Sequence, residues 1–371
     1  VRRPLRHGFT TGACAAAAAK GAALMLRAQR RVETVELVLP AGINATFALH
    51  GQRFDDRSAA CGVIKDAGDD PDVTNGCEVW AEVCFSKGDS PLQNQGQSPA
   101  VTIAGGTGIG RVTKPGLAVP VGAWAINPVP CRMITEAVRE IFAPRAPRPA
   151  LQVVISIPDG EERARRTLNA RLGILGGLSI LGTTGIVTPI SHQAWTDTID
   201  AALGVAQAAG CRRVVASTGR SSEQAAEKLL ALPEEAYILM GDHVGHLAAA
   251  CARRGLPELV LAAQFAKLVK IACGHPQTHA AVVALDLATL AGWGRTAGLD
   301  AATIERLEWA HTARELYLEF GPHHPLVALV AARVIDRLQK WAPGVRCGVL
   351  LAGYAGESAV AFGELFGARK L

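Results

Sequence analysis

Four aspartates fall within seven positions in the stretch Lys65-Asp66-Ala67-Gly68-Asp69-Asp70-Pro71-Asp72-Val73-Thr74-Asn75-Gly76. Carboxylates this dense beside a lysine can accept a proton or favour a cation. Asp and Asn bond back to nearby backbone and favour turns. Pro71 forces its predecessor out of the helical region. The stretch is therefore expected to be a loop of defined shape, between strands at 59–65 and 77–85. A solvated acidic turn is the plainer reading of the same residues.

Two further stretches could meet a ligand. Thr10-Thr11-Gly12 leads into an alanine run that ends at Lys20. Alanine is the best helix former and threonine a natural N-cap, so a helix is expected over 12–28. Free N–H groups at its start would make an anion site, unless the helix is simply capped and packed. The run Gly173-Ile174-Leu175-Gly176-Gly177-Leu178-Ser179-Ile180-Leu181-Gly182-Thr183-Thr184-Gly185 is bare backbone between apolar residues. It suits a chain that wraps a ligand, or a tight packing turn. Residues 105–116 are also glycine-rich, but they fit neither phosphate-loop spacing. A hairpin is expected there, with Lys114 able to meet an anion.

The histidine pairs His243/His246, His275/His279 and His323/His324 have no HExxH and no cysteine partner at zinc spacing, so no metal is expected. No GxSxG elbow is present. Nine cysteines, an odd number without CxxC spacing, read as reduced core thiols of a cytoplasmic protein. Net charge is +5 without a basic block dense enough for a nucleic-acid arm, and it suits a small polyanionic substrate. No window approaches 18 apolar residues, so no membrane span is expected. The first seven residues are too short and too charged for a cleavable signal.

The elements that must position these residues divide in two. Strands are expected at 32–39, 43–50 and 101–104, with a polar surface excursion at 87–99 and a helix starting at Asn127-Pro128. The proline-rich segment 143–150 is the best linker, which gives domains of 1–146 and 150–371. Beyond it, strands at 151–157, 213–217, 236–240, 259–262 and 345–352 alternate with helices. They end in Thr218-Gly219 and Gly241-Asp242-His243, the pattern of an open parallel α/β sheet whose ligands bind at the carboxyl ends.

Several of these motifs together resemble one family. They are Thr10-Thr11-Gly12 with Lys20, the loop 65–76, Gly108 through Val112-Thr113-Lys114-Pro115-Gly116-Leu117, Ala125-Ile126-Asn127-Pro128-Val129-Pro130, and 176–189. In order and over nearly the whole chain they are similar to the cobalt-precorrin-5B C1-methyltransferases of cobalamin (vitamin B12) biosynthesis. The resemblance implies an S-adenosylmethionine-dependent enzyme that methylates carbon 1 of a ring-contracted tetrapyrrole, giving the precorrin-6A level. It also implies two different α/β domains: an N-terminal α+β, sandwich-like domain and a C-terminal open sheet partly like a Rossmann methyltransferase.

Under that resemblance Asp66, Asp69 and Asp70 are the candidates for any proton that must leave the ring. Thr10, Thr11, Lys20, Lys65, Asp72, Arg111, Lys114 and Asn127 are the candidate substrate contacts, the cations suiting its acetate and propionate groups. Gly176, Gly177, Ser179, Gly182, Thr183, Thr184, Thr218, Gly219 and Asp242 are the candidate cofactor contacts. Small-residue surfaces could serve a homodimer. The competing expectations are a nucleotide-dependent α/β enzyme and a non-catalytic corrinoid carrier.

Overall fold

The computed structural model describes residues 3–86, 100–143, 150–354 and 359–366. The polar excursion at 87–99, the proline-rich linker at 144–149 and the glycine-containing segment 355–358 lie outside the described residues. The protein is a mixed α/β chain in two compact units, Val1–Ser191 and His192–Leu371.

The first unit opens with β1 (Gly8–Phe9), α1 (Thr11–Ala28), and a hairpin of β2 (Thr34–Val38) and β3 (Asn44–Ala48). Next come β4 (His50–Phe54), β5 (Ser58–Ile64), β6 (Glu78–Phe85), β7 (Val101–Gly105) and β8 (Arg111–Val112). The unit continues with α2 (Pro128–Phe142), β9 (Leu151–Ser156), α3 (Gly160–Ala164), β10 (Ile174–Leu175) and β11 (Ile186–Val187). Five strands form one sheet in the order β4-β5-β6-β9-β7, antiparallel except for the β9–β7 pair. Helix α1 packs on β5 and β6 and against α2. Its alanines from Ala15 to Ala19 are wholly buried, and a helix apolar nearly all round belongs inside a core.

The division expected at 146–150 is corrected by this sheet. Strand β9, expected to open the second domain, lies between β6 and β7 in the first. The glycine-rich run 173–185 also belongs to the first unit, where β10 pairs with β8 and β11 with β1.

The second unit contains α4 (His192–Ala208), β12 (Arg213–Ser217), α5 (Arg220–Leu229), β13 (Tyr237–Leu239), α6 (Val244–Arg253), β14 (Glu258–Ala263) and α7 (Phe265–Ala272). It ends with α8 (Leu287–Thr296), α9 (Ala301–Trp309), α10 (Ala313–Phe320), α11 (Pro325–Trp341), β15 (Arg346–Leu351) and β16 (Val360–Phe362). The strand order is β13-β12-β14-β15-β16, parallel except for β16. One face packs α6, α7 and α11 around Leu259, Leu261 and Val349. The other face packs Val215, Val260 and Leu350 against α5. Among the described residues no helix is long and apolar enough to cross a membrane.

Candidate functional site

The acidic loop leaves β5 through Lys65, which is only 2% exposed. Its Nζ lies 2.6 Å from Asp72 Oδ2. Asp72 also accepts the Thr74 N–H at 2.8 Å and the Thr74 hydroxyl at 2.7 Å. Burial pushes the Asp72 carboxyl up, but the Lys65 charge and these hydrogen bonds together outweigh it and hold it below the usual carboxylate range. Asn75 Oδ1 accepts the Ala67 N–H at 2.9 Å. Lys65 and Asp72 therefore brace the loop from beneath.

The exposed half of the loop grips distant chain. The Arg6 guanidinium forks onto both oxygens of Asp66, and that bond holds the Asp66 carboxyl below its ordinary range. Asp69 Oδ2 accepts the Arg6 N–H at 2.7 Å, and the Asp69 N–H donates back to Arg6 O at 2.9 Å. Asp70 Oδ1 accepts the Ile190 N–H at 2.8 Å. Asp69 Oδ1 and Asp70 Oδ2 have no hydrogen-bond partner among the described residues. The loop is thus both a tether and a source of two unengaged carboxylate oxygens. Arg6, which orders it, carried no signal in the sequence beyond its charge.

The other candidates of the first unit are differently employed. Thr10 and Thr11 are buried. Thr10 Oγ1 caps α1 by accepting the Ala13 N–H at 3.1 Å, while the Gly12 N–H donates to Leu181 O at 3.0 Å. Two of the N–H groups expected to be open at this helix start, those of Gly12 and Ala13, are therefore taken by protein. Lys20 Nζ is 2.9 Å from Glu140 Oε2. The Lys114 stem lies along Gly173, and its Nζ donates to Arg171 O at 3.3 Å. Exposed Arg111 stacks 3.8 Å above the Trp124 ring and donates to Gly122 O. Asn127 precedes α2, where its N–H donates to Ile180 O at 2.9 Å.

The glycine-rich run is a packing strap in its middle. A Cβ at Gly177 would run into the backbone of Gly108, whose carbonyl accepts the Leu178 N–H at 2.9 Å. Gly182 lies against Thr10. The buried Ser179 Oγ has no hydrogen-bond partner among the described residues, and Thr184 Oγ1 closes a turn onto the Ile186 N–H at 3.2 Å. Gly176 and Thr183 are exposed.

In the second unit the turns after three strands leave the sheet side by side. The Met240 N–H donates to Ser217 O at 2.9 Å and the Thr218 N–H to Ala262 O at 3.2 Å. Asp242, after β13, takes both the Lys267 ammonium and the Thr278 hydroxyl on Oδ1, the latter at 2.6 Å. Burial raises its carboxyl pKa, but these two hydrogen bonds and the Lys267 charge lower it further, so it stays ionised. Asp242 Oδ2 has no hydrogen-bond partner among the described residues. Gly219 has an extended backbone, and no atom lies within 4 Å of where its Cβ would be. Neither conformation nor packing demands glycine at that point. Lys267 and Thr278 were not singled out in the sequence, since nothing in their spacing ties them to Asp242. His246 is bonded to Asp200 at 3.1 Å.

Residues 1–189 match the family model CbiD, and residues 277–361 match that of the CbiD C-terminal domain. The cobalt-precorrin-5B C(1)-methyltransferase of Geobacter sp. (strain M21) is 55% identical, covering 96% of this chain and 98% of its own. The protein of the same name from Desulfotalea psychrophila is 45% identical over 85% of this chain and 86% of its own. The crystal structure of the cobalamin biosynthesis protein cbiD from Archaeoglobus fulgidus is 28% identical, with a TM-score of 0.37, over 72% of this chain and 79% of that one. With half the chain under the family model and such identity over nearly its full length, the protein belongs to the CbiD family.

Proposed function

We infer that the chain methylates carbon 1 of cobalt-precorrin-5B, with S-adenosylmethionine as the methyl donor. The observation that carries this reading is the end-to-end identity with relatives named for that reaction. In the same reading the first unit is the α+β, sandwich-like substrate domain. The second is an open sheet, partly like a Rossmann methyltransferase.

The strand ends of the second unit fit a hydroxyl-bearing nucleoside. Asp242 Oδ2 is an ionised, unengaged acceptor, and Gly219 leaves open space beside it in the sheet order. Thr218, Gly219 and Asp242 would hold the donor there. When bound, S-adenosylmethionine supplies an electrophilic methyl group on a sulfonium.

The chain's own task is to hold the reacting partners close, aligned and dry, which can supply much of a large rate enhancement. Arg111, braced on Trp124, presents a cation to the carboxylates of the tetrapyrrole. Asp69 and Asp70 each keep one oxygen free to take a proton from the ring, whereas Asp66, locked to Arg6, is the poorer base. A homodimer in the cytoplasm belongs to the same reading.

The test is an anaerobic incubation with cobalt-precorrin-5B and methyl-labelled S-adenosylmethionine. Label at carbon 1 is expected, and its absence overturns the reading. The double variant D69N/D70N keeps an oxygen for each tethering N–H, so it should lose turnover while melting as the wild type does. Full activity would remove the loop from proton transfer.

A further inference from the structure

The mouth of β13 carries a group of rings that neither the family match nor the fold accounts for. Trp195, in the first turns of α4, is 42% exposed despite its size. Its ring is stacked on His243 at 6.3 Å with an interplanar angle of 28°. His192 meets His243 edge-on at 5.3 Å. The six-membered part of the indole lies on Gly241, where φ is +58° and a Cβ would come within 3.5 Å of the ring. Three flat side chains are thus gathered at the turn that closes β13, next in the sheet to the open Gly219. His243 is kept neutral by its burial and by the neighbouring His192, so the shelf is apolar at physiological pH.

A half-exposed tryptophan costs hydration unless something covers it, and a flat polarisable face suits another flat π-system. Bases stack on aromatic side chains with little regard to sequence. Asp242, two residues before α6 and one after Gly241, offers a free acceptor for hydroxyl groups on the same turn. A base on the ring face and a ribose on the carboxylate describe a nucleoside, and the adenosyl group of the methyl donor is one.

We propose that Trp195 and His243 form the stacking shelf for the purine base of the methyl donor, with Asp242 Oδ2 taking its ribose. The proposal rests on the reading that the second unit holds the donor, and it adds which face recognises the base.

Calorimetric titration with S-adenosylhomocysteine tests it on the full chain. Trp195→Ala should weaken binding about tenfold or more, and Trp195→Phe, which keeps a ring, by about threefold at most. S-ribosylhomocysteine, which lacks the base, should bind the wild type and Trp195→Ala equally. Melting curves identify any variant that has not folded, and Trp195→Phe then carries the test through its equal affinity for the base-free ligand. Unchanged S-adenosylhomocysteine affinity in Trp195→Ala, with the wild type binding, overturns the shelf but leaves the donor reading standing. Failure of the wild type to bind, alone and with a corrinoid present, overturns the donor reading and the shelf together.

Discussion

Asp70 Oδ1 receives the backbone N–H of Ile190 from 120 positions further along the chain. Ile190 has φ +56° and is 69% exposed. A β-branched residue in the left-handed region is under real strain, and here one carboxylate holds it there. Because the side chain packs on little, Ile190→Asn should stabilise the protein by about 1 kcal/mol by relieving that strain. Asp70→Ala should destabilise it by a similar amount, about 1 kcal/mol, on loss of the hydrogen bond. Urea titrations of both variants decide the matter, and a less stable Ile190→Asn would contradict it.

The pair beneath the loop gives a second expectation. Asp72→Asn leaves the buried Lys65 ammonium without its counter-charge, at an expected cost of about 3 kcal/mol. Lys65→Met substitutes a chain of similar volume and leaves a carboxylate that water can reach, so it should cost only about 1 kcal/mol.

Acid should expose the same pair. The folded Asp72 carboxyl titrates below its unfolded value of about 3.9, so its stabilisation is complete above that pH and is lost as pH falls through the folded value. Unfolding free energies of the wild type should therefore drop below about pH 4 more steeply than those of Asp72→Asn. Parallel slopes in urea series at several pH values would count against this pairing.

Gly219 separates ligand space from folding. Gly219→Val should cost no more than about 1 kcal/mol, since nothing lies within 4 Å of the added Cβ and valine is only a poorer N-cap than glycine. It should abolish S-adenosylhomocysteine binding. A large loss of stability would mean that the glycine serves the fold.

Burial drives the Cys14, Cys61 and Cys251 thiols up to about 12. At pH 8 these cysteines should resist a thiol reagent until the protein unfolds, whereas half-buried Cys131 and Cys211 should label first. Mass spectrometry of a brief labelling reaction reads the order directly.

Local signals in the chain were read well where neighbours in sequence decide the outcome. The helix expected at 12–28 spans Thr11–Ala28, because an alanine run behind a capping threonine has one favourable conformation. The strands at 213–217 and 259–262 fall within a residue of their observed bounds, since each is an apolar run ended by polar or glycine residues. What could not be read is partnership at long range. Strand β9 looks the same whether it opens a new sheet or enters an old one, and the prolines before it resemble a linker in either case. Glycines that let backbone meet backbone, as at Gly108 and Gly177, are indistinguishable by type from glycines that admit a ligand. Nothing in the sequence ties His243 to Trp195, which lies 48 positions earlier and stacks on it.

The pairing of β1 with β11 has a bearing on how the protein is made. Gly8 faces Val187, so the first strand waits for its partner until almost the whole unit has been translated. The central place beside β6 likewise stays vacant until β9 leaves the ribosome. During that interval β6 and β7 present unpaired edges of the kind that chaperones shield. A nascent chain arrested before residue 156 should remain protease-sensitive throughout, and one arrested after the whole first unit has emerged should yield a resistant core.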